Sequence, residues 1–277
     1  LAASAAQTGG QLDLWDAQGK NVMRLSVNEY GGDMAMWNPS GMNVMGAYAT
    51  PSGGEFGLWN SQGTRVMAMT SHPTGGQLML QNGDDHPGAM IGSDAAGGVF
   101  SLRNPEGSTI VAAGATTDSN GRITIGDNRG TVTGSLGSQK TGGELRLMNS
   151  AGVSVVAASG DDAGSGQISV SNDKATPVFS VKTSKDSGTA LGLMNSSGKN
   201  MIALGARDQG GLINILNGLG VPVVIAGYSE QGRGGAISVK NGRGIQVVTA
   251  AANADEAGEI RINSPDGKKP RIFGPMP

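Results

Sequence analysis

Gly9-Gly10-Gln11-Leu12-Asp13-Leu14-Trp15-Asp16-Ala17-Gln18-Gly19-Lys20-Asn21-Val22-Met23-Arg24-Leu25 is the first full copy of a unit that recurs to the C-terminus. It reads as a Gly-Gly corner, an apolar-x-apolar run, a polar turn closed by glycine, and a second short apolar run. A fixed period of this length decides the fold class, because each copy is too small to bury a core alone and must associate with its neighbours.

Aligned on the corner, copies begin at Gly9, Gly31, Gly53, Gly75, Gly97, Asn120, Gly142, Ser165, Ser187, Gly210, Gly234 and Ala257. Residues 9–277 therefore form a single array of twelve repeats of 22–24 residues, the last one shorter, after a lead-in of residues 1–8. In the first half of each unit two apolar residues alternate with smaller or polar ones, as in Leu12/Leu14, Met34/Met36, Phe56/Leu58, Leu78/Leu80 and Ile123/Ile125. A period of two describes a strand with one buried side. Ala190-Leu191-Gly192-Leu193 carries one residue more than the others and predicts a bulge.

Asn-x-x-Gly follows in Asn38–Gly41, Asn60–Gly63, Asn104–Gly107, Asn149–Gly152, Asn195–Gly198, Asn217–Gly220 and Asn241–Gly244, with Asp16–Gly19 as its acidic form. Asn and Asp bond the backbone two residues on, and glycine takes the left-handed position. A second strand follows, as in Val44-Met45 or Val223-Val224-Ile225, then a polar loop. No stretch sustains a 3.6-residue apolar period, so helix is not expected.

Composition agrees. Glycine accounts for 48 of 277 residues, while aromatic residues make up 4% and charged residues 15%. This suits a repetitive chain with many tight turns. Glycine does not fall at every third residue, which excludes collagen. The net charge is −2 with the signs mixed, so there is no basic footprint for a nucleic acid. No apolar run is long enough to span a membrane as a helix. Without cysteine there are no disulfides and no thiolate metal sites. Leu1-Ala2-Ala3-Ser4-Ala5-Ala6 has the small residues of the end of a secretion signal.

Three architectures accommodate twelve such units: a single-chain β-solenoid, an intertwined homotrimer with a shared core, and a six-bladed propeller with two units per blade. A propeller calls for odd and even units to differ, and they do not. Each unit offers only four or five large apolar side chains, a thin face that three chains close around one axis more readily than one chain does. The expected fold is thus all-β: an elongated β-helix or β-solenoid of tandem repeats, assembled as an intertwined homotrimer.

The pattern Gly-Gly-x-Leu-x-Leu-Trp-Asp-x-x-Gly-Lys-x-Val-x-x-Leu resembles a repeat of many bacterial proteins, in which Gly-Gly-x-Val-x-Val-x-Asn-x-x-Gly-Lys-x-Val-x-x-Leu runs in tandem, often after a coiled coil. The resemblance covers residues 9 to about 268. It implies a fibrous, trimeric array at the cell surface or outside the cell, and it transfers no catalytic residues. This sequence shows no coiled-coil segment.

Trp15, Trp37 and Trp59 occupy one repeat position. Such a row either packs between turns or chains or binds a glycan or a protein partner. Met23, Met34, Met36, Met45, Met67, Met69 and Met79 read as core filling. His72 and His86 lie at non-equivalent positions, and Asp84-Asp85-His86 is the only local cluster with metal-ligand character. Gly160-Asp161-Asp162 and Asp255-Glu256 lack the spacing of calcium-binding β-rolls. No Ser-x-x-Lys, Gly-x-Ser-x-Gly or phosphate loop occurs, and Thr131-Val132-Thr133 alone is too little for an ice-binding array. The expectation is a structural fibre or filament subunit with an adhesive role, extracellular or on the cell surface. It uses no cofactor, metal or catalytic site, and its main partner is itself, as a trimer and end to end. A propeller or solenoid binding glycan or protein is the alternative.

Overall fold

The computed structural model describes residues 1–6, 9–161, 163–185, 188–228, 234–252 and 257–274. The described residues hold 25 strands and no helix. They divide into two compact units, Leu1–Gly137 and Ser138–Pro277.

The first unit contains β1 (Ala2–Ala6), β2 (Gly9–Trp15), β3 (Asn21–Asn28), β4 (Gly31–Trp37), β5 (Asn43–Thr50), β6 (Gly53–Trp59), β7 (Arg65–His72), β8 (Gly75–Gln81), β9 (Pro87–Asp94), β10 (Gly97–Arg103), β11 (Thr109–Ala115), β12 (Gly121–Gly126) and most of β13 (Val132–Gln139). The second holds β14 (Gly142–Met148), β15 (Ser154–Gly160), β16 (Gly166–Ser171), β17 (Pro177–Ser184), β18 (Gly188–Met194), β19 (Asn200–Arg207), β20 (Gly210–Leu216), β21 (Pro222–Tyr228), β22 (Gly235–Lys240), β23 (Gln246–Ala252), β24 (Gly258–Ile262) and β25 (Arg271–Phe273).

Within each unit every strand pairs antiparallel with the next one in sequence. Each repeat is therefore a hairpin, and the hairpins follow one another as a meander. A coil with one repeat per turn would instead pair parallel residues one repeat apart. The four-stranded blades of a propeller would interrupt the ladder, yet in the first unit it runs without a break from β1 to β13. The lead-in is no exception, since Ala2–Ala6 pairs with β2.

The turns form as their chemistry dictates. Asn60 N–H donates to Thr64 O, Gly63 N–H donates to Asn60 O, and the Asn60 Oδ1 accepts from the amides of Gln62 and Thr64, each at 2.9 Å except for the Gly63 bond at 3.1 Å. Gly63 takes φ 83°, the left-handed conformation that closes the loop without a Cβ clash. The turn also shifts the register by one residue where the first strand ends, at Leu14/Trp15, Met36/Trp37 and Leu58/Trp59 among others. This is the one-residue bulge that accompanies a left-handed closing residue.

The extra residue near Ala190 does not make a bulge there. Gly188 takes the corner position, and Leu191 and Leu193 pair in regular register with Leu204 and Ile202. The strand therefore carries no insertion, since a bulge inside it would have moved both leucines to the wrong face.

Alternation sorts the side chains onto two unlike faces. In the first unit one face carries Leu12, Leu14, Met23, Leu25, Met34, Met36 and their equivalents through Ile123, Ile125 and Leu136, paired across strands as Leu12↔Leu25, Met23↔Met36, Phe56↔Met69 and Ile123↔Leu136. Every charged strand residue of that unit, from Asp13 and Arg24 to Arg122, stands on the opposite face. The second unit repeats the arrangement with Leu145, Leu147, Ile168, Leu193, Ile213 and Ile237. There the apolar face of β14 to β24 likewise carries no charge.

Candidate functional site

The apolar faces are open. Among the described residues Ala68 is the only buried apolar side chain, and it lies on the opposite face. Ile91 and Ile125 are each 55% exposed, Leu136 54% and Ile237 52%. Shallow grooves lie on these faces among the described residues. One of about 860 Å³ crosses β5 to β9, floored by Ala47, Phe56, Met69, Leu78 and Ile91. The second unit has one of about 710 Å³ around Ile237, Ile260 and Phe273, and another of about 460 Å³ around Leu191, Leu204 and Ile213. Soluble monomers rarely leave contiguous apolar surface of this extent uncovered.

Six of the seven methionines read as core filling lie on this face, at positions 23, 34, 36, 45, 67 and 69. Met79 does not. It pairs with Ala68 and Met90 on the other face, because it follows Leu78 by a single residue.

The three tryptophans share the charged face. Each ends the first strand of its repeat, one residue beyond a leucine or methionine that points the other way. The rings do not stack on one another. The Arg24 guanidinium lies 5.9 Å from the centre of the Trp37 ring, and Trp59 meets Tyr48 edge-on at 6.5 Å. A Cβ built on Gly57 would come within 2.5–3.1 Å of the Trp59 ring, and one on Gly46 within 2.2–2.5 Å of Tyr48. Gly46 and Gly57 are cross-strand partners, so this glycine pair is the floor on which two rings rest. Trp15 keeps 40% of its surface exposed. The repeat position of the tryptophans was visible in sequence, but Tyr48 was not, since it breaks the repeat. Its one signal is a glycine two residues earlier, opposite another glycine.

Beside Trp15 the Asp13 carboxylate is 5% exposed and well satisfied. Oδ2 accepts from Gln11 Nε2 at 2.5 Å, and Oδ1 accepts from Asn21 Nδ2 at 2.5 Å and Arg24 Nε at 2.8 Å. The Gln11 amide, then the Arg24 guanidinium, hold its carboxyl at about 2, below the ordinary 3.8. A depressed carboxylate pKa stabilises the folded state above the ordinary value, and that stabilisation drains away as pH falls towards 2. Asp127, beside Arg129, and Asp161, under the Ser165 amide, are lowered in the same direction. Asp13→Asn should therefore reduce, without abolishing, the loss of stability between about pH 4 and pH 2. Urea midpoints of both proteins across that range test this, and identical slopes would refute it.

Histidines and acids are not brought together. His72 Nε2 lies 3.5 Å from the Thr70 hydroxyl, and His86 closes the Asn82 turn through its backbone. Asp161 caps its turn through the amides of Ala163 and Ser165 and lies 3.6 Å from Lys182. Among the described residues no three His, Cys, Asp or Glu side chains converge as metal ligands. Asp162, Asp255 and Glu256 lie outside the described residues. Among the described residues no helix is long and apolar enough to cross a membrane.

No family model and no curated protein matches the chain. Among solved structures, a TcdB2-TccC3 structure without its hypervariable C-terminal region is 11% identical over 99% of this chain, at a TM-score of 0.20. A second TcdB2-TccC3 structure is 8% identical over 94%, at a TM-score of 0.15. The chain spans 15% and 18% of those two chains.

Proposed function

We propose that this chain is a structural, self-associating subunit: a homotrimeric β-repeat stalk or filament element, extracellular or at the cell surface, without a catalytic role. The observation that carries this reading is the apolar face of each unit, free of charge from β2 to β24 and open along its length. Covering a half-exposed Leu or Ile contributes about 1 kcal/mol. Nine large apolar side chains in the first unit and eleven in the second, mostly Leu and Ile, are more than a third exposed on these faces. The summed gain is on the order of 10 kcal/mol per unit, before the cost of association.

A second copy is the occupant that the surface suits. Its own face has the same chemistry and the same strand spacing, and it carries no charge to desolvate. The face is narrow, with two large apolar side chains per strand and a third row of Gly, Ala, Ser or Val, such as Gly54, Ser71, Gly76 and Ser93. Narrow faces close as a three-sided, solenoid-like prism more completely than as a flat pair. Repetition then gives the assembly length without a large core in any one chain, and end-to-end joining would extend it into a filament.

Light scattering with small-angle X-ray scattering tests the reading on the intact chain. The expected particle contains three chains of 27.8 kDa each and is elongated. A stable particle of one chain at all concentrations would overturn self-association, and a two-chain particle would overturn the trimer.

A further inference from the structure

The face turned away from the apolar surface carries a second pattern, independent of self-association. Where the first strand of each early repeat ends, side chains from adjacent strands fall on one line across the sheet. Trp15 stands opposite Asn21, Trp37 opposite Asn43, and Trp59 opposite Arg65. Gln81 and Arg103 continue the line in the next two repeats. Aromatic rings thus alternate with amide and guanidinium groups at the strand spacing of about 4.8 Å, and the rings recur about every 10 Å.

Three atoms on this line are buried and have no hydrogen-bond partner among the described residues: Asn43 Oδ1, Gln81 Oε1 and Arg103 Nε. Ser101 Oγ, on the same face as Arg103, is a fourth, in a residue 5% exposed. These atoms are themselves closed off from solvent, but the side chains of Asn21, Asn43, Arg65, Gln81 and Arg103 are only half-buried, and their exposed parts offer a row of polar groups suited to a ligand rich in hydroxyls. The ring of Trp59 rests on Gly57, which leaves its outer side directed away from the sheet.

We propose that this line binds an extended β-1,4-linked glycan lying across strands β2 to β10. In such a chain the pyranose rings are flat, present apolar C–H faces, and repeat their orientation every second residue. A ring spacing of about two strands matches that repeat, so alternate sugars stack on tryptophan while equatorial hydroxyls reach the exposed parts of the Asn43, Gln81 and Arg103 side chains. Arg24 is neutralised by Asp13 and Arg65 by Glu55, which suits a neutral polymer. This proposal does not rest on the fibre reading.

The test mixes the full chain with microcrystalline cellulose, with chitin, and with starch as the α-linked control, then titrates cellohexaose and chitohexaose while following indole emission. Depletion by cellulose or chitin but not starch, with a change in emission, is the expected result. Trp15→Ala and Trp37→Ala should each weaken binding about fivefold. Absence of depletion by either β-1,4 polymer, with folding confirmed by circular dichroism, overturns the proposal, as does unchanged affinity in the folded double variant. Should a variant unfold, iodide quenching of the wild-type chain decides: either oligosaccharide shields the indoles, or the proposal fails.

Discussion

Ile123→Asp is expected to break the assembly into single chains, while Thr124→Asp, one residue away, leaves its mass unchanged. Ile123 lies on the apolar face, cross-strand from Ala113 and Leu136, and is 45% exposed in the single chain. In the proposed trimer it is covered. A carboxylate there would enter an apolar seam without a partner, at a cost of several kcal/mol, enough to offset a large part of the gain from one unit. Thr124 points to the charged face, between Ala112 and Ser135. Each variant gains one aspartate and the same change in net charge, and the two carboxylates stand on opposite faces. Light scattering reads the outcome directly. Equal mass for both variants, with both folded, would show that the apolar face is not the seam.

Gly188→Ala should cost on the order of 3 kcal/mol, against about 1 kcal/mol for Gly220→Ala in the same unit. Both glycines adopt left-handed backbone, at φ 69° and φ 83°. The difference is space. A Cβ on Gly220 meets nothing within 4 Å, so alanine there carries only the conformational cost. A Cβ on Gly188 would lie 1.9 Å from the carbonyl oxygen of Ala206, on the strand that β18 pairs with. Backbone cannot yield as a flexible side chain does, so the β18–β19 ladder must open locally. Hydrogen exchange of amides in β18 and β19, alongside thermal unfolding, distinguishes the two. Matching melting temperatures and matching protection would refute the argument.

Much of this was legible in the repeat. Alternation at Leu12/Leu14 and Met34/Met36 specified strands, Asn-x-x-Gly specified hairpin turns, and the period specified an array, because each of these signals acts over a few residues. What short-range signals could not carry was partner choice between strands. A hairpin meander and a coil place the same residues on the same alternating faces, so both satisfy one sequence pattern. The single-residue step from Leu78 to Met79 sends the leucine to the apolar face and the methionine away from it, where it pairs with Ala68 of β7.

The binding line shows the same division. Trp15, Trp37 and Trp59 were visible as equivalent positions, each one residue beyond an apolar-face side chain, but their pairing with Asn21, Asn43 and Arg65 depended on the bulge that each turn imposes. Asn43, Gln81 and Arg103 share no residue type and joined the line only once the strands were paired. The sequence by itself thus determined the repeating hairpin, its turns and the segregation of apolar residues, since these follow from local backbone preference and a period of two. Only the tertiary structure decided that successive strands pair antiparallel, that the apolar faces stand open, and which polar side chains stand beside the tryptophans. Those features depend on contacts between segments, whose geometry no single repeat contains.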